Sequence, residues 1–191
     1  MEEPQILTEA DANPFIDVVS FDVESTGLLA HDTITAVALV GPDFEIAYTF
    51  SPQDDFHENR AAIVDILNKA TLICAFNAAS FDIPIMQRFF CLDDRTVGGW
   101  MAKLTDPLYA AKNLIGTKIC AKLDVILALN GLPTKTSNGM EAVHMAREGR
   151  WEELREYCLS DTILTRNLML SDPVFWVENL KYAPLTRCVW V

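Results

Sequence analysis

The first 59 residues contain no lysine and no arginine, although thirteen aspartates and glutamates fall among them. That lack excludes a broad basic groove for nucleic acid in this part of the chain, because phosphate tracks are lined with cations. Residues 60–191 hold all fifteen basic side chains against fourteen acidic ones, so the net charge of −12 is concentrated at one end. Most of these acids read as a solvated surface, and the rest are available to a site that needs local negative charge. Cysteine is sparse and unpatterned. Cys74, Cys91, Cys120, Cys158 and Cys188 are odd in number and show no C-x-x-C spacing. That argues against a zinc site or a disulfide framework, and for a reducing compartment, cytoplasmic or nuclear. His31, His57 and His144 share no metal-ligand spacing, and Ser160 lacks the partners of a serine nucleophile. No apolar run approaches the roughly 18 to 20 residues that cross a bilayer. Met1 is followed by Glu2 and Glu3, not by a basic segment, so neither a membrane partner nor a secretory leader is expected.

What is present suits a single core, since half of the 191 residues are hydrophobic. Residues 1–15 read as an arm and 16–171 as the body. Residues 172–191, rich in Trp, Phe and Val, read as a tail packing on that body. Ile16 to Phe21, Thr33 to Val40 and Phe44 to Phe50 have strand composition, the last two joined by the turn Gly41-Pro42-Asp43. Arg60 to Lys69 has helical spacing, Leu72 to Phe76 is a short apolar strand, and Ser80 to Phe90 returns to helix with Ser80 as its cap. Further on, a strand is expected within Thr96 to Thr105. Helices are expected over Leu108 to Ile115, Ala121 to Leu129, Met140 to Arg147 and Trp151 to Leu170. This order predicts an α/β fold, a mixed five-to-six-stranded sheet flanked by helices, with ligands gathering at the carboxyl ends of strands.

Chemistry concentrates in three places. Asp22 and Glu24, in F-D-V-E-S-T-G-L, are two residues apart at the end of the first strand, where a period of two puts both carboxylates on one face. Like charges held side by side are costly to desolvate, and a divalent cation between them removes that cost; all-oxygen ligation suits Mg²⁺ or Mn²⁺. Ser25, Thr26 and Gly27 are small enough to let the backbone approach a ligand. Asp82, in N-A-A-S-F-D, falls in a helical first turn, where the dipole alone would favour an acid. Tyr157 and Asp161, in Y-C-L-S-D, lie one turn apart on one helix face. Asp124 and Asp106 read as caps or face residues. Lys112, Lys118 and Lys122 fit either a phosphate track or solvent. Arg147, Arg150 and Arg155 are better placed for nucleic acid, with Glu148, Glu152 and Glu153 able to neutralise them.

Those three motifs, in that order over roughly residues 16 to 170, resemble the DEDD superfamily of 3′–5′ exonucleases, in its tyrosine-containing branch. The proofreading exonuclease domains of family B DNA polymerases are similar. The histidine branch would place His five residues before Asp161, where this chain has Glu156. The resemblance implies a ribonuclease H-like fold and removal of nucleoside 5′-monophosphates from single-stranded 3′ ends, DNA in preference to RNA. It implies two Mg²⁺ or Mn²⁺, one held by Asp22, Glu24 and Asp161 and a second by Asp22 and Asp82. Tyr157 would orient or deprotonate the attacking water. The backbone of Ser25, Thr26 and Gly27 would hold the terminal 3′-hydroxyl, Leu28 and Phe81 would pack on the last bases, and Asn77 would contact the terminal nucleotide. A catalytically silent ribonuclease H-like module that binds nucleic acid or protein is the alternative. A part in a larger replication or repair assembly would give the aromatic tail a docking role.

Overall fold

A computed structural model describes residues 16–27, 31–106, 108, 122–135, 139–171, 174–178 and 181–185. Its sheet runs β3-β2-β1-β4-β5, formed by β1 (Ile16–Ser25), β2 (Ile34–Val40), β3 (Glu45–Thr49), β4 (Ala70–Cys74) and β5 (Leu104–Thr105). β1, β2 and β3 are antiparallel neighbours, whereas β4 lies parallel to β1 and β5 parallel to β4. The sheet is mixed because a tight turn at Gly41 joins β2 to β3, while α1 (Phe56–Lys69) carries the chain back across to β4.

Alternation along β1 divides its side chains between two layers. Val19, Phe21 and Val23 face one core with Ile63 and Leu67 of α1, Ile83 and Met86 of α2 (Asp82–Phe89), and Trp100 of α3 (Asp94–Ala102). Ser20, Asp22 and Glu24 face the other way. There α6 (Trp151–Leu170) lies across β1, β2 and β3, with α5 (Gly139–Glu148) beside it. The facing positions of β2 and β3 are Ala36, Ala38 and Ala47, packed against Leu154, Tyr157 and Cys158. Their small size lets the helix approach the sheet closely. Asp22 pairs across the ladder with Ala38 and Glu24 with Ala36, so the acids have methyl neighbours and room above them. A third cluster joins α4 (Leu123–Leu129) to the far end of α6 through Ile126, Leu127, Leu164 and Leu168.

The body matches the expected α/β architecture, and α6 has the expected bounds. Other elements differ for local reasons. α1 begins at Phe56, four residues before the expected Arg60, because the Asp55 carboxylate accepts from the backbone N–H groups of His57 and Glu58. The strand expected within Thr96 to Thr105 shrinks to Leu104–Thr105, since Asp93 caps a helix by accepting from Thr96 N–H. Ser80 is not the cap of α2; Phe81 holds that position, and no side chain caps it. The tail contains an antiparallel pair, β6 (Val174–Glu178) and β7 (Lys181–Leu185), that the sequence reading does not anticipate; β6 runs beside α4. The expected helix over Leu108 to Ile115 falls outside the described residues except at Leu108, as does the arm over 1–15. No described helix is long and apolar enough to cross a membrane.

Candidate metal centre

Three elements bring the acids together. β1 presents Asp22 and Glu24 toward α6, and Asp161 on the buried face of α6 meets them. One carboxylate oxygen from each lies within 4.8 Å of the others. Asp82 stands outside this trio, at the start of α2. Its Oδ1 accepts the Val23 backbone N–H at 3.1 Å, which ties the α2 start to the strand carrying Asp22 and Glu24.

Burial pushes every one of these carboxyls upward. Asp22 is raised to about 7, by burial first, with the Lys135 charge opposing and Asp161 adding to it. Glu24 is held well above its ordinary value by burial and then by Asp22 and Asp161, and Asp82 by burial and then by Asp22. Asp161 is raised by burial although Lys135 works against it. Asp22, Glu24 and Asp161 share one described cation, so charge compensation is incomplete, which is the condition that favours a bound divalent ion.

That cation is Lys135, absent from the sequence-level list of candidates. Its ammonium lies 2.6 Å from Asp161 Oδ2. Burial would lower its pKa, but the charges of Asp22 and Asp161 outweigh burial and raise it, so the side chain remains an ammonium. Lys135 sits in a loop after α4, where no periodicity or motif marks it. The only hint was a lone lysine in a Leu-Pro-Thr-Lys-Thr stretch, which spacing does not connect to Asp161.

Tyr157 is buried beside Asp161. Its phenol is raised above the ordinary tyrosine value by burial and by the nearby Asp161 charge. Its hydroxyl faces the Asp161 carboxylate, and among the described residues no group completes a well-formed hydrogen bond with it. Cys158, the next residue, donates its thiol to the Asp22 carbonyl oxygen at 3.6 Å and fixes α6 against β1.

The residues expected around a substrate divide differently. Ser25 donates its hydroxyl to Gly27 O at 2.6 Å, and Thr26 donates to Asp32 Oδ1 at 2.9 Å while accepting from Thr33 N–H. Both hydroxyls are therefore engaged in shaping their own turn. A Cβ at Gly27 would lie 2.7 Å from Asp32 Oδ2, so a larger residue there would displace the carboxylate that Thr26 bonds. Arg88 of α2 donates to Asp32 O and holds the returning end of this loop. Leu28 lies outside the described residues. Asn77 adopts a left-handed φ of 65°, and Phe81 packs on the core beneath α2. Asp106 fixes this loop: its Oδ1 accepts from Asn77 N–H and Leu108 N–H, its Oδ2 from Ala79 N–H. Reading Asp106 as a helix cap captures only the Leu108 bond. Arg150 is matched with Glu141, Glu148 and Glu153, so it is no spare phosphate ligand, whereas Arg155 bonds Thr49 and only approaches Glu152, at 4.0 Å. Lys122 is exposed at the start of α4, and Lys112 and Lys118 lie outside the described residues.

The donor set fits a divalent cation: three convergent carboxylates of raised pKa, beside the buried Tyr157 hydroxyl. Comparison with known proteins adds the lineage. A family model described as the RNase_H superfamily matches residues 19–171. No curated protein matches the sequence. Among solved structures, the family B DNA polymerase from the hyperthermophilic archaeon Pyrobaculum calidifontis is similar, with a TM-score of 0.60 and 18% identity. That match covers 79% of this chain and 24% of the polymerase chain, and it concerns the fold.

Proposed function

The chain belongs to the RNase_H superfamily, and from that premise we propose that it is a metal-dependent 3′–5′ exonuclease of the DEDD type, tyrosine branch. Its substrate in this reading is a single-stranded 3′ end, DNA in preference to RNA, and its product a nucleoside 5′-monophosphate. The observation that carries the reading is the trio Asp22, Glu24 and Asp161, whose oxygens converge within 4.8 Å, with Tyr157 one helical turn before Asp161 and beside it.

Asp22, Glu24 and Asp161 would hold one Mg²⁺ or Mn²⁺, and Asp82, which feels the charge of Asp22, would join Asp22 at a second. Cations bound there supply Lewis acidity and acidify water for in-line phosphoryl displacement. The chain's own residues do the rest. Because its pKa is raised, Tyr157 stays protonated near neutrality and acts as a donor that orients the attacking water. Lys135 brings an ammonium to the same place, where a phosphate oxygen can take over from Asp161 as its partner. The Ser25–Gly27 turn, stiffened by Thr26, Asp32 and Arg88, offers backbone groups to a 3′-hydroxyl. Asn77, on the loop held by Asp106, would contact the terminal nucleotide.

The Lys135–Asp161 pair favours a second reading, a silent module whose acids are neutralised internally and which only binds nucleic acid. End-labelled single-stranded DNA and RNA, incubated with Mg²⁺, Mn²⁺ or EDTA, separate the two. Metal-dependent ladders growing from the 3′ end are expected. Strands retarded on a gel but intact under every condition would replace the enzyme with the binding module.

A further inference from the structure

Outside the acid trio, one carboxylate is spent on the backbone of the residue that brings the only described cation to it. Asp124, in the first turn of α4, accepts the Lys135 backbone N–H on Oδ1 at 3.1 Å. The chain between them doubles back along α4. Gly131 takes a φ of 66°, Asn130 N–H and Leu132 N–H return to Ile126 O and Leu127 O, and Leu132 packs into the cluster of Ile126 and Leu164. Lys135 thus starts from a fixed point, and its four-carbon stem ends on Asp161 Oδ2. A lysine stem is flexible and its ammonium rotates freely, so a loop position alone would not hold it there. A tethered backbone reduces the volume the ammonium explores.

We propose that Asp124 is a positioning residue: it aims Lys135 at the acid trio, and through Lys135 it sets both the metal affinity and the turnover of the site. The role of Lys135 in turnover rests on the nuclease reading above, whereas its effect on metal affinity does not. Asp124 also contributes a negative charge that Asp161 feels, so charge and hydrogen bond must be separated. Asp124→Asn removes the charge and keeps an oxygen acceptor, while Asp124→Ala removes both.

The experiment uses the full chain and Mn²⁺ alone, titrated by calorimetry, with single-turnover cleavage of a labelled oligonucleotide alongside. With Lys135 present, Asp124→Ala is expected to bind Mn²⁺ at least about three-fold more tightly than Asp124→Asn, because a freed ammonium no longer repels the ion. The alanine variant should also cleave more slowly than the asparagine variant. In a Lys135→Met background the two substitutions should become equal in both measurements. Equal Mn²⁺ affinities with Lys135 present, or a difference that survives Lys135→Met, would overturn the proposal. Should the alanine variant fail to fold, Asp124→Ser repeats the comparison, its oxygen falling an atom short of the Lys135 N–H. Tight Mn²⁺ binding with no cleavage by the parent sinks the nuclease reading alone, and the affinity comparison still decides the role of Asp124.

Discussion

A buried hydroxyl that completes no well-formed hydrogen bond among the described residues, as at Tyr157, adds little to stability, and the fold loses little by giving it up. Tyr157→Phe is therefore expected to leave thermal stability unchanged or raise it by up to about 1 kcal/mol. Cleavage should fall by about 10²-fold, with Mn²⁺ affinity unaltered. Melting, calorimetry and single-turnover rates measure the three, and an undiminished rate would remove the phenol from the chemistry. Asp22 poses the same opposition more sharply, because its raised pKa reports an anion in an unfavourable place. Asp22→Asn should stabilise the metal-free protein by roughly 1–2 kcal/mol and lower cleavage by about 10³-fold or more. Loss of stability in that variant would mean that the carboxylate is structural. At this scale the sequence was informative where chemistry is local. The period of a strand puts Asp22 beside Glu24, and one helical turn puts Tyr157 beside Asp161. Lys135 was not legible, because its contact with Asp161 is made across the fold from an irregular loop. Asp82 was visible as a helix-start acid, but its bond to Val23 N–H depends on a packing that spacing does not encode.

Between elements, the site depends on how two loops are stiffened. The turn from β4 into α2 has a non-glycine residue at positive φ, Asn77, and that strain persists because Asp106 accepts N–H bonds on both sides of it. Removing the acceptor leaves three backbone donors to find water or go unpaired, one of them the buried Leu108 N–H. Asp106→Ala should cost roughly 2–4 kcal/mol in urea unfolding. Since Asp82 follows this turn directly, residual cleavage should also need more Mg²⁺ than the parent. A variant of parental stability would show that the clasp is incidental. Element boundaries were missed where a cap outweighed composition. Gly98 and Gly99 weaken the helical pattern of α3, yet Asp93 starts it all the same. Asp55 with Glu58 marks an earlier start for α1 than its apolar spacing does. The β6–β7 pair was unreadable for another reason: its aromatic, β-branched composition equally suits an irregular segment packed on a core.

For the molecule as a whole, the acids of the site act as one unit that destabilises the metal-free fold as they ionise. The sign follows from Asp22. Its folded pKa of about 7 exceeds the ordinary carboxylate value, so the folded state keeps a proton that the unfolded chain has already released. Its contribution to stability is full below about pH 4 and is lost as pH rises through 7. Glu24, Asp82 and Asp161 are shifted in the same direction and steepen the loss. Asp54 and Asp55 are shifted downward by hydrogen bonds, and their contribution disappears only when the solution becomes more acidic than ordinary carboxylate pKa values. Lys135 stays charged throughout and adds no slope near neutrality. Without metal, the melting temperature should therefore fall steadily from about pH 5 to pH 8. A divalent ion binds the ionised trio, so its stabilisation should grow over the same interval. At a hundredfold excess over Kd it reaches about 2.7 kcal/mol, or roughly 5–10 °C for a chain of this size. Scanning calorimetry in EDTA and in Mn²⁺ across that range tests both slopes. If the EDTA profile were flat and Mn²⁺ shifted no point, the acids would be ionised without strain and would hold no ion. The trio would then be a solvated acidic surface and no longer a metal centre.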